Sequence, residues 1–232
     1  MAGVKVALFD LDDTLFAHTA AVNAAVAARI RTLGWPARED SLALWHELEE
    51  LHYHRYLAGE LTFLEQRAAR ATDFAAAFGV QLDRPLDFYD AYFSEYERAW
   101  SLHDDALPCL DALSGLRLGI ITNGETEFQL AKISSVGILD RFEHVIASGE
   151  LGVTKPDPRI FEHAAALFGV AVADAAYVGD RFETDALGAS RAGLTGVWLD
   201  RLGNRTPAQA AEAAASGVHI VSGLAEVPAL LV

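Results

Sequence analysis

Four short stretches carry residues whose types and spacing suit chemistry. Phe9-Asp10-Leu11-Asp12-Asp13-Thr14 sets three carboxylates at the tip of an apolar run, and Thr122-Asn123-Gly124 ends a second one. Lys155 lies in Gly152-Val153-Thr154-Lys155-Pro156, just ahead of a proline-started helical pattern, and Gly179-Asp180 is followed five residues later by Asp185. Burying an uncompensated carboxylate is costly, so acids at the tip of a core segment are either a solvated turn or a grip on something positive. Fixed carboxylates have two uses in a reaction: one attacks an electrophilic centre and forms a covalent intermediate, and another moves protons. Each stretch alone is an ordinary turn, helix start or surface lysine.

These residues need a scaffold that brings them together. Short apolar runs at Val4–Phe9, Leu116–Ile121, His144–Ala147, Ala175–Val178 and Gly196–Leu199 read as strands. The later intervals have the length of helical crossovers, which predicts parallel strands in an α/β sheet. Near-continuous apolar character fits strands covered on both faces. In open parallel sheets ligands bind beyond the carboxyl ends of the strands, where all four stretches fall. A proline-started helix near Pro207–Ala215 and a short strand at Val218–Val221 complete the core.

The first interval is too long for one crossover. It contains four helical stripes: Val22, Val26, Ile30, Leu33; then Leu44, Leu48, Leu51; then Leu64, Ala68, Ala71, Ala75, Phe78; then Leu86, Tyr89, Phe93, Tyr96, Trp100. The expected organisation is an α/β catalytic core, residues 1–16 and 101–232, with a helical cap domain over 17–100.

Composition narrows the field. The chain has 232 residues, 52% of them hydrophobic, and a formal charge of −15. Nucleic-acid binders need a basic stripe, so a phosphate-backbone partner is not expected. The single cysteine, Cys109, permits no internal disulfide, and no window approaches a membrane span; the expectation is a cytoplasmic protein, monomer or homodimer. Fifteen arginines accompany only three lysines, Lys5, Lys132 and Lys155, so a lysine at a given position leans towards a specific role.

The four stretches, in this order and each at the end of its element, resemble the haloacid dehalogenase (HAD) superfamily over essentially the whole chain. The helical insertion stands where the C1-capped phosphatases of that superfamily carry theirs. The resemblance implies a Rossmann-like parallel sheet whose first, second and fourth strands lie side by side. It implies Asp10 as nucleophile and Asp12 as general acid and base, with Thr14 helping to hold the loop. Thr122, Asn123 and Lys155 would bind the phosphoryl group. The Asp10 carboxylate, the Asp12 main-chain carbonyl and the Asp180 carboxylate would be the metal ligands, with Asp185 supporting the metal site as an outer acceptor or through water. Four acids against one lysine, before a phosphate dianion arrives, call for a hard divalent cation such as Mg²⁺.

The expected activity is therefore hydrolysis of a small phosphorylated metabolite. A phosphomutase would share the metal site, and a non-catalytic regulator would lack Asp10 or Asp12. A 2-haloacid dehalogenase needs no Mg²⁺ and lacks the acid equivalent to Asp12. Thr122-Asn123-Gly124-Glu125-Thr126-Glu127-Phe128-Gln129 is similar to the subgroup containing pyrimidine 5′-nucleotidases and acylneuraminate phosphatases. Elsewhere plainer readings are expected: His52 and His54, at i and i+2, do not share a helix face and read as surface or cleft residues. Arg67 and Arg70 read as solvated, and Trp45, Tyr89, Phe93 and Trp100 as core of the insertion.

Overall fold

A computed structural model describes residues 3–36 and 38–232, the Leu57 side chain aside. The chain divides into two units, Met1–Ala17 with Ser101–Val232, and His18–Trp100. In chain order the elements are β1 (Val6–Phe9), α1 (His18–Leu33), α2 (Ser41–Leu57), α3 (Phe63–Ala77), α4 (Pro85–Arg98), α5 (Ala106–Ala112), β2 (Arg117–Thr122), α6 (Thr126–Ser135), β3 (His144–Ala147), α7 (Ser148–Leu151), α8 (Pro158–Leu167), β4 (Ala175–Gly179), α9 (Gly188–Arg191), β5 (Thr195–Leu199), α10 (Pro207–Ala215), β6 (His219–Val221) and α11 (Pro228–Leu231).

The first unit is built on one parallel sheet of order β3-β2-β1-β4-β5-β6. This is the α/β architecture expected from the apolar runs, with β1 between β2 and β4. Every residue of β1 is fully buried, as a strand covered on both faces must be. Ile160, Phe161, Ala164 and Phe168 from α8 and its end pack on Val6, Leu8, Ile121 and Tyr177. Phe9 pairs with Ile120 on one side and Val178 on the other, so the tip of β1 lies between the carboxyl-terminal ends of β2 and β4, which run on to Thr122 and Gly179. α10 starts where predicted because Thr206 and Gln209 close a reciprocal capping box ahead of Pro207.

The second unit is all helical: α1 packs on α4, α2 on α3, and α3 on α4. Thr62 and Glu65 cap α3 in the same reciprocal way. Its core is aromatic: the Trp45 ring lies 4.9 Å from Phe74 and 4.4 Å from Tyr92, and Trp35 stacks on Phe88 at 5.5 Å. The buried faces differ from the expected stripes. Leu33, Leu51 and Leu64 are exposed, while the buried set of α2 runs Ser41, Trp45, Leu48, His52 and that of α3 includes Gln66, Arg70 and Phe74. On α4, Phe88 and Tyr92 join Tyr89 and Tyr96. Polar residues take core positions because each finds a partner: Arg70 donates to Glu49 at 2.5 Å and His52 pairs with Asp73 at 2.9 Å. Arg70 and His52 are thus buried, against expectation, whereas His54 is exposed.

Candidate active site

The loop after β1 is shaped by its own aspartates. Asp10 is nine-tenths buried and its N–H donates to Val178 O at 2.8 Å, continuing the ladder one residue past the strand. Asp13 adopts φ 60°, a left-handed conformation that Asp tolerates better than most residues, and its N–H donates to Phe16 O at 2.7 Å. Asp13 therefore turns the chain, and Thr14 closes the loop by donating to Asp10 Oδ2 at 3.2 Å.

Lys155 reaches the same place from the loop before α8. Its buried ammonium donates to Asp10 Oδ1 at 2.6 Å, Asp185 Oδ1 at 2.8 Å and the Tyr177 hydroxyl at 2.7 Å. Tyr177 in turn donates to Ile121 O at 2.9 Å, linking β4 to β2. Burial disfavours the charged ammonium, but the Asp10 and Asp185 carboxylates more than reverse this and hold Lys155 above its ordinary range. Asn123 orders the loop that carries Lys155. Its side-chain amide donates to Lys155 O at 2.9 Å and accepts from Lys155 N at 2.8 Å, so that both ends clamp the lysine's main chain.

Asp180 follows β4, and Asp185 sits within a π-helical turn, Phe182–Leu187. Such turns recur at functional sites because the extra residue re-aims a side chain. Here Asp185 Oδ2 accepts from Arg181 N at 3.0 Å while Oδ1 takes Lys155. The side chain lies directly over Gly179: a Cβ there would come within 2.5 Å of Asp185 Cβ, which explains the glycine before Asp180. Carboxylate oxygens of Asp10, Asp180 and Asp185 all lie within 4.8 Å of one another. Burial first, then repulsion among the acids, from Asp185 on Asp10 and from Asp10 and Asp185 on Asp180, pushes the carboxyls of Asp10 and Asp180 well above the ordinary range, against the pull of Lys155 on Asp10. Converging buried oxygens that repel one another suit a hard divalent cation, which would restore their ionised state.

The Asp12 carboxylate is held from α6. Lys132 Nζ donates to its two oxygens at 2.7 and 3.0 Å, and Gln129 Nε2 donates to Oδ2 at 3.0 Å and to Thr122 Oγ1 at 2.7 Å. Gln129 and Lys132 were not singled out as site residues by sequence; the signal was the rarity of lysine in this arginine-rich chain. Cys109 is buried, its thiol pushed up to about 12 chiefly by that burial, and it behaves as a small apolar residue.

Residues 4–193 match the family described as haloacid dehalogenase-like hydrolases. The chain is 33% identical over 223 residues to the phosphoserine phosphatase of Thermus thermophilus, covering 85% of this chain and 89% of that one. It is also 33% identical over 208 residues to the glyceraldehyde 3-phosphate phosphatase of Methanopyrus kandleri, covering 85% and 84%. The fold is shared with the magnesium-bound crystal structure of the HAD-hydrolase YfnB from Bacillus subtilis, at a TM-score of 0.81 and 21% identity over 99% of both chains.

Proposed function

Because the chain belongs to the haloacid dehalogenase-like hydrolase family, we propose that it is a cytoplasmic, Mg²⁺-dependent phosphatase acting on a small phosphate monoester through an acyl-phosphate on Asp10. The observation that carries this reading is the convergence of Asp10, Asp180 and Asp185 carboxylate oxygens, with the Lys155 ammonium bound to Asp10 and Asp185. No helix among the described residues is long and apolar enough to cross a membrane.

In the first step an Asp10 oxygen attacks phosphorus and the bond to the leaving oxygen breaks, with Asp12 giving that oxygen its proton. In the second, Asp12 takes a proton from water as the water oxygen attacks phosphorus; the bond to Asp10 breaks and inorganic phosphate departs. Thr122 and Lys155 stabilise the transferring group as a hydroxyl donor and a compact positive charge. The carboxylates of Asp10 and Asp180 and the main-chain carbonyl of Asp12 would hold Mg²⁺, which when bound supplies neutralising charge for the phosphoryl oxygens. Asp185, which accepts from Lys155 and from Arg181 N, suits an outer role that orients the set. Residues 17–100 act as the cap that selects the leaving group.

The relatives' printed activities, on phosphoserine and on glyceraldehyde 3-phosphate, support a small monoester without fixing which one. A phosphomutase remains the second reading, since it would use the same carboxylates. The presence of Asp12, Asp180 and Asp185 weighs against dehalogenase chemistry. Turnover of p-nitrophenyl phosphate by the purified chain should require Mg²⁺ and stop with excess EDTA; Ca²⁺ should substitute poorly. Undiminished hydrolysis after dialysis against EDTA would sink the metal assignment, and no hydrolysis of any phosphate ester would sink the phosphatase.

A further inference from the structure

We propose that Gln129 and Lys132 are positioning residues for this reaction: from one face of α6 they fix the Asp12 carboxylate and aim the Thr122 hydroxyl. The inference rests on the phosphatase reading above and adds to it two residues outside the four motifs. They stand three apart in the helix, so their side chains leave it on the same side.

Lys132 is 2% exposed, its ammonium 4.7 Å from the Phe128 ring centre and 5.1 Å from that of Phe16. A buried ammonium needs a counter-charge, and Asp12 supplies it through both oxygens. Ordinary surface ion pairs hold a side chain loosely; here the ammonium is buried between two aromatic rings. The Asp12 carboxylate is thereby held against α6.

Gln129 extends the grip to the second strand. A side-chain amide has two N–H groups, and here one goes to Asp12 Oδ2 and one to Thr122 Oγ1. Both contacts are made by its amide N–H₂ group, and its Oε1 is left buried with no hydrogen-bond partner. A hydroxyl oxygen that accepts from Gln129 keeps its own proton to donate, which is what a phosphoryl oxygen at the tip of β2 requires. Gly124 makes room for this contact, since a Cβ there would lie 2.7 Å from Gln129 Nε2. The glycine of the Thr-Asn-Gly turn thus has a packing reason beyond the turn itself.

Lys132→Met keeps the length of the side chain and removes the ammonium; Lys132→Gln keeps a donor and serves if the Met variant does not fold. Each is compared with wild type on an alkyl phosphate, β-glycerol phosphate, and on p-nitrophenyl phosphate, whose leaving group departs without a proton. General acid–base help is worth about 10²–10⁴-fold, and a misplaced Asp12 should forfeit roughly a hundredfold of it in kcat on the alkyl ester, with KM changed less than about threefold. On p-nitrophenyl phosphate the variant should release one burst of p-nitrophenolate per enzyme and then stall, because Asp10 is phosphorylated but water is no longer activated. Lys132→Arg should recover part of kcat. A merely structural lysine would lower thermal stability and scale both substrates equally with no burst, and that result, or kcat within about threefold of wild type on both, overturns the proposal. A wild-type chain inert towards both esters would instead overturn the phosphatase reading.

Discussion

Replacing Lys155 by methionine tests whether the site holds together as one charged unit. The lysine is 5% exposed and donates three hydrogen bonds of 2.6–2.8 Å, two of them to acids of the cluster. Removing one member of a buried charged set costs about 3–5 kcal/mol, because the remaining charges are stranded. Asp10 and Asp185 can relieve part of this by sharing a proton, so a loss of about 3 kcal/mol is expected. For a chain of this size that lowers the melting temperature by about 6–12 °C without Mg²⁺. Mg²⁺ should narrow the gap, since a bound cation supplies the missing positive charge. The double variant Lys155→Met/Asp185→Asn should regain at least about 1 kcal/mol over the single one, because it removes an acid along with the base. Activity should fall about 10²–10³-fold, as for loss of one donor to a developing charge, and Mg²⁺ should not restore it. Calorimetry with and without Mg²⁺, beside kcat/KM on p-nitrophenyl phosphate, reads all of these. A melting temperature within about 2 °C of wild type would refute the reasoning on the charged unit. Activity within about threefold would return Lys155 to a structural role.

Three further outcomes are expected. Gly179→Ala introduces no charge, yet should destabilise by about 1–3 kcal/mol and cut activity by displacing Asp185; urea unfolding alongside kcat measures both. Burial alone would raise the Glu49 carboxyl, but Arg70, with His46 and His18 nearby, holds it at about 2. A lowered carboxyl contributes stability that is complete above its unfolded value, near 4.5, and disappears as pH falls towards 2. Wild type should therefore lose about 2–3 kcal/mol across that window, after allowing for the quarter of Glu49 that is exposed, and Glu49→Gln should lack this slope in denaturant unfolding at stepped pH. Asp10→Asn should fold, turn over no substrate and fail to bind beryllofluoride in titration calorimetry; a phosphoryl label mapped by rapid-quench mass spectrometry to Asp12 or Asp13 in wild type would reassign the nucleophile.

The parallel core was legible because its signals are local and one-dimensional. Apolar runs such as Val6–Phe9 and the proline that starts α10 announce themselves within a few positions. The acids at the strand tips were legible for the same reason. What escaped depends on three-dimensional pairing. Arg70 and His52 look solvent-facing until Glu49 and Asp73 arrive from other turns, and a leucine-based stripe then selects the wrong face of α2. The clamp of the Asn123 side chain on the Lys155 main chain joins two distant loops and has no local signature. The π-helical turn leaves no periodic trace, and Lys132 and Gln129 matter only because α6 folds back beside Asp12.

The position of β1 in the sheet also sets the order in which the chain can be assembled. Phe9 is made early, but its neighbours Ile120 and Val178 are made much later, and β1 has no other strand to pair with. At about 5–20 residues per second, roughly 10–30 s separate Phe9 from Val178 during translation. His18–Trp100 emerges in that interval with its packing partners close at hand, since helix contacts are local and fast to form. The ribosome therefore carries a finished helical unit tethered to an apolar strand still waiting for its sheet. Asp180 and Asp185 cannot join Asp10 until the region of β4 has left the exit tunnel, so the site comes into being near the end of synthesis. The demand for chaperone protection falls on the core, and a truncated product retains the aspartate loop without anything to hold.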